Sequence, residues 1–277
     1  MRKLGGYGVP NVPSPEVFSI LQLCAITEHL FPNIKTLDLS LTGRPGSIPF
    51  IPLFLSPRTT AISIQFPSHN FPKVMVPSMI TALPTLCPNL QEITLQTLPR
   101  DFMTIAAVSA MLLASNRNTL RCFSVESSLT AEAREVVYTL PVLRTLWSVI
   151  ERDALLPAVV LPNLTDLTIA YDYDSDWSRV FRGATLGPLE TVTFYSEPEQ
   201  LEDFLEEFER VALATSIQNT LSTFQLYTSH SWSPYYYSLQ PFTQMTCLVI
   251  YFSCRDGCSS TVDDDVVTTL APKAGNP

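Results

Sequence analysis

The sequence predicts an α/β protein in which short parallel strands alternate with helical crossovers in stacked repeats. Three observations predict this. An apolar–x–x–apolar–x–apolar pattern recurs nine times, its copies lie 21–32 residues apart, and the stretches between them carry helix-start signals. The pattern reads Ile34-Leu37-Leu39, Thr59-Ile62-Ile64, Leu90-Ile93-Leu95, Leu120-Phe123-Val125 and Leu143-Leu146-Ser148. It continues as Leu164-Leu167-Ile169, Leu189-Val192-Phe194, Leu221-Phe224-Leu226 and Met245-Leu248-Ile250. Only Thr59 and Ser148 depart from apolar character in its 27 slots. A repeat in fixed phase implies stacked units sharing one continuous core.

The strands are justified by the spacing of the last slot in each copy: 39, 64, 95, 125, 148, 169, 194, 226 and 250. A hairpin array would space strands about 8–12 residues apart. Gaps of 21–32 residues leave room for a crossover, which makes the strands parallel and the crossovers right-handed. Pro32, Pro57, Pro88, Pro141, Pro162 and Pro188 stand just before copies of the pattern, where proline stops a helix and favours extended backbone.

The helices follow in order. Ser14, Pro15 and Glu16 supply a cap, a first-turn proline and an early acid for a helix over 17–30. Further helices are expected over 76–86, over 101–115 with Asp101 as cap, over 130–138, and over 263–270. Ser196-Glu197-Pro198-Glu199 is a capping box that opens a helix over 200–213. There Leu201, Phe204, Leu205, Phe208, Val211 and Ala212 form a buried stripe, opposite the solvated Glu202, Asp203, Glu206, Glu207, Glu209 and Arg210. Residues 1–13 are expected to be a flexible N-terminal segment, 14–271 one repeat domain and 272–277 a tail.

Strand side chains alternate between faces. Thr36, Asp38 and Ser40, then Ala61, Ser63 and Gln65, then Glu92, Thr94 and Gln96 are expected to point outward. So are Asp166, Thr168 and Ala170, Thr191, Thr193 and Tyr195, and Thr223, Gln225 and Tyr227. With helices on one side only, this outward face would be concave. Tyr195, Tyr227 and Tyr251 share one outward column in three successive copies. Either these rings pack on one another, or they are contact residues for a partner, since aromatic clusters are enriched at interfaces. Tyr171, Tyr173 and Trp177 in one loop, and Trp232 in another, complete the candidate partner-binding residues.

Composition narrows the function classes. Net charge is −9, and this acidic balance argues against a nucleic-acid partner, whose phosphate backbone calls for clustered Lys and Arg. Nine glycines and no phosphate-cradling glycine motif argue against a nucleotide cofactor. The longest apolar run, 102–114, is shorter than the about 20 residues a bilayer span needs, so no membrane partner is expected. Arg2 and Lys3 are followed by Gly5, Gly6, Gly8 and Pro10, not by the apolar core of a secretory signal. The six cysteines are therefore read as reduced thiols of a cytoplasmic or nuclear protein.

No residue set announces a reaction. Asp172, Asp174 and Asp176 alternate like a calcium loop, but Trp177 and Gly183 stand where glycine and a bidentate glutamate belong. Cys247, Cys254 and Cys258 have no histidine nearby to complete a zinc set, so no metal is expected. His29, His69 and His230 fall on different repeats, too far apart to converge with one nucleophile. An enzyme would need a site in the loops around 172–177 and 232–237, and no titratable set is placed there. The expectation is no catalysis and no cofactor.

LFPNIKTLDLSL at 30–41, LCPNLQEITLQTL at 86–98 and LPNLTDLTIA at 161–170 resemble leucine-rich repeats of the F-box type, with Asn33, Asn89 and Asn163 in one phase. PFIPLFLSP at 49–57 and TVDDDVVTTLA at 261–271 are similar to F-box and leucine-rich-repeat proteins expanded in mushroom-forming fungi. The resemblance implies a right-handed leucine-rich-repeat solenoid with the parallel sheet on the concave face and helices on the convex face. It implies a protein target held on the concave face, and an adaptor subunit of a cullin-type ubiquitin ligase docked by the F-box. Two departures stand out. No asparagine follows the strands in the position that ties such turns. No complete F-box precedes the repeats, so a free-standing repeat scaffold or a shortened gene product is the alternative to a ligase receptor.

Overall fold

A computed structural model describes residues 3–4, 16–17, 19–20, 29–40, 51–66, 82–96, 116–129, 136–150, 160–171, 185–195, 201–215, 217–228 and 242–252. The fold is α/β. The chain divides into two compact units, Met1–Leu143 and Arg144–Pro277. The division falls inside the span 14–271 that the sequence treats as one domain, within the fifth copy of the pattern.

Unit 1 holds strands β1 (Lys3–Leu4), β2 (Thr36–Ser40), β3 (Ala61–Gln65), β4 (Glu92–Gln96) and β5 (Cys122–Ser128). They lie side by side in chain order and every pair is parallel. Unit 2 holds β6 (Thr145–Ile150), β7 (Val160–Leu161), β8 (Asp166–Tyr171), β9 (Thr185–Leu186), β10 (Thr191–Tyr195), β11 (Thr223–Thr228) and β12 (Cys247–Phe252). Its main sheet has the order β6-β8-β10-β11-β12, again all parallel, and β7 pairs with β9 in a separate small sheet. Each copy of the apolar pattern thus ends in a strand, as its spacing predicts.

The register keeps the copies in step. Leu37, Ile62, Ile93 and Phe123 are successive partners, as are Leu39, Ile64, Leu95 and Val125. In unit 2 Leu146, Leu167, Val192, Phe224 and Leu248 form one column, and Ser148, Ile169, Phe194, Leu226 and Ile250 the next. These columns are the core. Every slot is buried except Leu39 and Met245, which are half-buried, and Ile250, whose side chain lies outside the described residues. The two polar exceptions are buried as well: Thr59 is fully enclosed and Ser148 nearly so. Position in the repeat, not residue chemistry, decides which face they take.

Thr59 belongs to a small polar island in the unit 1 core. Its hydroxyl donates to Ile34 O at 3.2 Å and accepts from Ser56 N at 3.2 Å. Ser56 and Cys87, both fully buried, complete the island. Burial pushes the Cys87 thiol up to about 11, against a smaller opposing pull from hydrogen bonds to the Thr59 side chain and the Ser56 backbone.

The missing asparagine ties have a substitute at the other end of the strands. The carbonyl just before β2, β3 and β4 accepts two N–H groups from the next repeat: Lys35 O from Thr60 and Ala61, Thr60 O from Gln91 and Glu92, Gln91 O from Arg121 and Cys122. Arg144, Thr165, Glu190 and Ser222 repeat the arrangement in unit 2. Hydroxyls reinforce it. Thr60 donates to Lys35 O (3.2 Å), Thr165 to Arg144 O (3.2 Å), Ser222 to Glu190 O (3.0 Å) and Thr246 to Ser222 O (3.2 Å). Thr119 and Thr220 tie to the first-slot carbonyls of Leu90 and Leu189 at 2.7 and 2.8 Å. Buried Asn116 accepts from Leu90 N at 3.3 Å.

Between strands the described residues are helical at 82–86, at 136–138 and in α1 (Leu201–Thr215). The expected stripe of α1 holds where its side chains are described: Phe208, Val211 and Ala212 are buried, whereas Leu213 is 48% exposed. Phe208 meets Phe194, Phe224 and Phe242 at 5.7, 5.5 and 5.5 Å between ring centroids, which fixes α1 on the unit 2 sheet. Residues 16–17 and 19–20 are helical with Val17 and Ile20 exposed. The helices expected over 101–115 and 263–270 lie outside the described residues.

Other crossovers differ from a simple strand–helix alternation. Residues 51–54 form a 3-10 turn that buries Ile51. The crossovers flanking β8 carry β7 and β9, where the gaps between last slots are only 21 and 25 residues. Gly187 lies hard against the backbone of Leu161 and Pro162, so close that a Cβ would overlap Leu161 O. Within the segment 1–13 expected to be flexible, Lys3 and Leu4 form a parallel edge on β2.

Candidate binding face

The outward face of each sheet follows from the alternation. In unit 1 Thr36, Asp38, Ala61, Ser63, Gln65, Thr94 and Gln96 are half-buried while Ser40 and Glu92 are exposed. Ser40 donates to Gln65 Oε1 at 3.1 Å along one column. In unit 2 Thr145, Asp166, Thr191, Thr223 and Cys247 form the first outward column. Trp147, Thr168, Thr193, Gln225 and Val249 form the second, and Val149, Ala170, Tyr195, Tyr227 and Tyr251 the third.

One outward assignment needs correction. Thr193 is 6% exposed, because Gln225 lies across it with the two side-chain oxygens 3.5 Å apart. A long side chain on the next strand shields a short one.

The third column carries the aromatic character. Tyr195 and Tyr227 are register partners, and their rings stack with centroids 4.3 Å apart and planes within 15°. Neighbouring strands run about 4.8 Å apart, so equal side chains in equal register meet face to face. Tyr195 is 39% exposed and Tyr227 half-buried. Tyr251 continues the column as the register partner of Tyr227. On the other flank Tyr195 pairs with Ala170.

Of the two readings, the packing one holds for Tyr195 and Tyr227, whose rings stack, and Tyr195 still faces outward. Among the fifteen outward positions of these five strands, Asp166 is the single charge. Its Oδ2 accepts from Thr165 Oγ1 at 2.7 Å. The face is thus broad, largely uncharged and aromatic toward the strand ends.

The remaining candidates are only partly brought to this face. Tyr171 ends β8 as the register partner of Ile150, one residue beyond the Ala170 column. Tyr173, Trp177 and Trp232 lie outside the described residues. So do His69, His230, Cys24, Cys254 and Cys258, and with them the calcium-like loop. Cys87, Cys122 and Cys247 form no disulfide. Among the described residues no three His, Cys, Asp or Glu side chains converge as a metal site would require, and no helix is long and apolar enough to cross a membrane.

Sequence reasoning missed Trp147, half-buried on this face, because it sits in the copy whose last slot is Ser148. The period-2 alternation alone would have found it. Set against known protein families, curated proteins and solved structures, the chain matches none.

Proposed function

We propose that the chain is a leucine-rich-repeat solenoid that holds a protein target on its outward sheet face and performs no chemistry itself. The observation that carries this reading is the in-register tyrosine column, stacked yet open to solvent at Tyr195, on a nearly uncharged parallel sheet. Aromatic rings held rigid by neighbours present large contact area at small entropic cost, which is how interface anchors work. On the F-box resemblance the target-holding repeats serve a cullin-type ubiquitin ligase in the cytoplasm or nucleus; without an adaptor they act as a free-standing scaffold.

The test is affinity purification from cells with mass spectrometry, using the full chain and a Tyr195→Ser/Tyr227→Ser/Tyr251→Ser variant. A protein retained by the parent and lost by the variant is expected, since removing a central aromatic anchor costs about 2 kcal/mol or more, roughly 30-fold in affinity. An identical set of co-purifying proteins would refute the anchor. Recovery of the adaptor separates a ligase receptor from a scaffold.

A further inference from the structure

The N-terminal edge of the unit 1 sheet carries a second surface of opposite character. Lys35, Arg58, Arg117 and Arg121 are all exposed there. Their order is set by the repeat. Lys35, Thr60, Gln91 and Arg121 occupy the same position before successive strands and are linked by the backbone bonds already described. Arg58 lies one rung from Asn33 and donates to its Oδ1 at 2.7 Å, and Arg117 donates to Thr139 O at 3.4 Å.

Both guanidinium groups are therefore held by neutral acceptors, an amide and a backbone carbonyl. That fixes their position without cancelling their charge. No carboxylate among the described residues forms an ion pair with any of the four cations, although the chain carries 26 acids against 17 bases. Glu92, next to Gln91, is the one acid of this edge among the described residues. Four cations with no ion pair among the described residues, on one edge of a protein of net charge −9, form a local field opposed to the whole.

We propose that this edge docks an extended acidic peptide segment of a partner protein. The geometry suits an extended chain: from the first rung to the fourth is about 14 Å at the usual strand spacing, or roughly four residues of extended peptide. Arginine forks match carboxylates in bidentate fashion, and the exposed amides Asn89 and Gln91 between the charged rungs offer neutral donors. A polyanion of nucleic acid is disfavoured by the overall negative charge, which repels a long phosphate backbone while a short acidic segment meets only the local field. This surface is independent of the tyrosine column.

The test measures binding of fluorescein-labelled poly-L-glutamate to the full chain by fluorescence anisotropy, with duplex DNA of equal charge as comparator. Poly-L-glutamate is expected to bind, to weaken steeply with added salt, and to lose about tenfold or more in affinity with Lys35→Glu/Arg58→Glu/Arg121→Glu. The neutral Lys35→Gln/Arg58→Gln/Arg121→Gln variant should lose less, and Tyr195→Ser should bind like the parent. Melting curves of each variant separate lost binding from lost folding. No binding by the parent, equal binding by a folded charge-reversal variant, or tighter binding of DNA would each overturn the proposal.

Discussion

Thr59 occupies a slot where the repeat asks for an aliphatic side chain, and the fold buries it all the same. Its hydroxyl serves both a backbone N–H and a backbone carbonyl. Thr59→Val keeps the shape and adds apolar surface, yet leaves the buried Ser56 N–H without its acceptor and Ile34 O with only the longer bond from Ser56 Oγ. We expect a loss of about 1–3 kcal/mol in urea unfolding; a variant as stable as the parent would show that the hydroxyl is dispensable. Next to it, Cys87 is a thiol kept neutral by burial. Its folded value lies above a free thiol's ordinary 9.0, so the unfolded chain loses the proton first as pH rises. The stability it contributes is complete below about pH 9 and is lost as pH climbs toward about 11. Cys87→Ala should flatten that alkaline limb of the stability curve, and alkylation of Cys87 should require unfolding. Gly187 is a third case: its missing side chain admits the Leu161 backbone, so Gly187→Ala should displace the β7–β9 pair and lower the melting temperature. An unchanged melting temperature would mean that the backbone moves aside freely.

At the scale of elements, a strand is worth what its inward residues bury. Leu167 of β8 lies between Leu146 and Val192 and is nearly inaccessible. Leu167→Ala is expected to cost about 2–5 kcal/mol, read as a lower denaturation midpoint, because a ladder buried on both flanks cannot collapse into the cavity. An unaltered midpoint would contradict the ladder. The same reading from sequence located each of these strands, since period and spacing are local properties of the chain. It located α1 as well, where the capping box and the 3.6-residue stripe agree. It had no signal for β7 and β9, each two residues long, nor for Lys3–Leu4, whose strand character comes from the edge it joins. The hydroxyl ties were legible in part: Thr60, Thr165, Ser222 and Thr246 stand immediately before strands. These ties lie before the strands, whereas the asparagine of a typical leucine-rich unit lies after them.

Across the whole molecule, the amino-acid order by itself determined where the strands begin, that they run parallel, and which side of each faces the core. Those follow from a repeat of fixed phase, in which one register satisfies every copy at once. It also placed three tyrosines in one column. Only the tertiary structure decided that Tyr195 and Tyr227 stack, that Gln225 covers Thr193, and that Arg58 and Arg117 are fixed by neutral acceptors. The physical reason is separation along the chain. Arg58 meets Asn33 across 25 residues and Thr193 meets Gln225 across 32, and no local periodicity encodes which side chains come to touch once such segments are brought together.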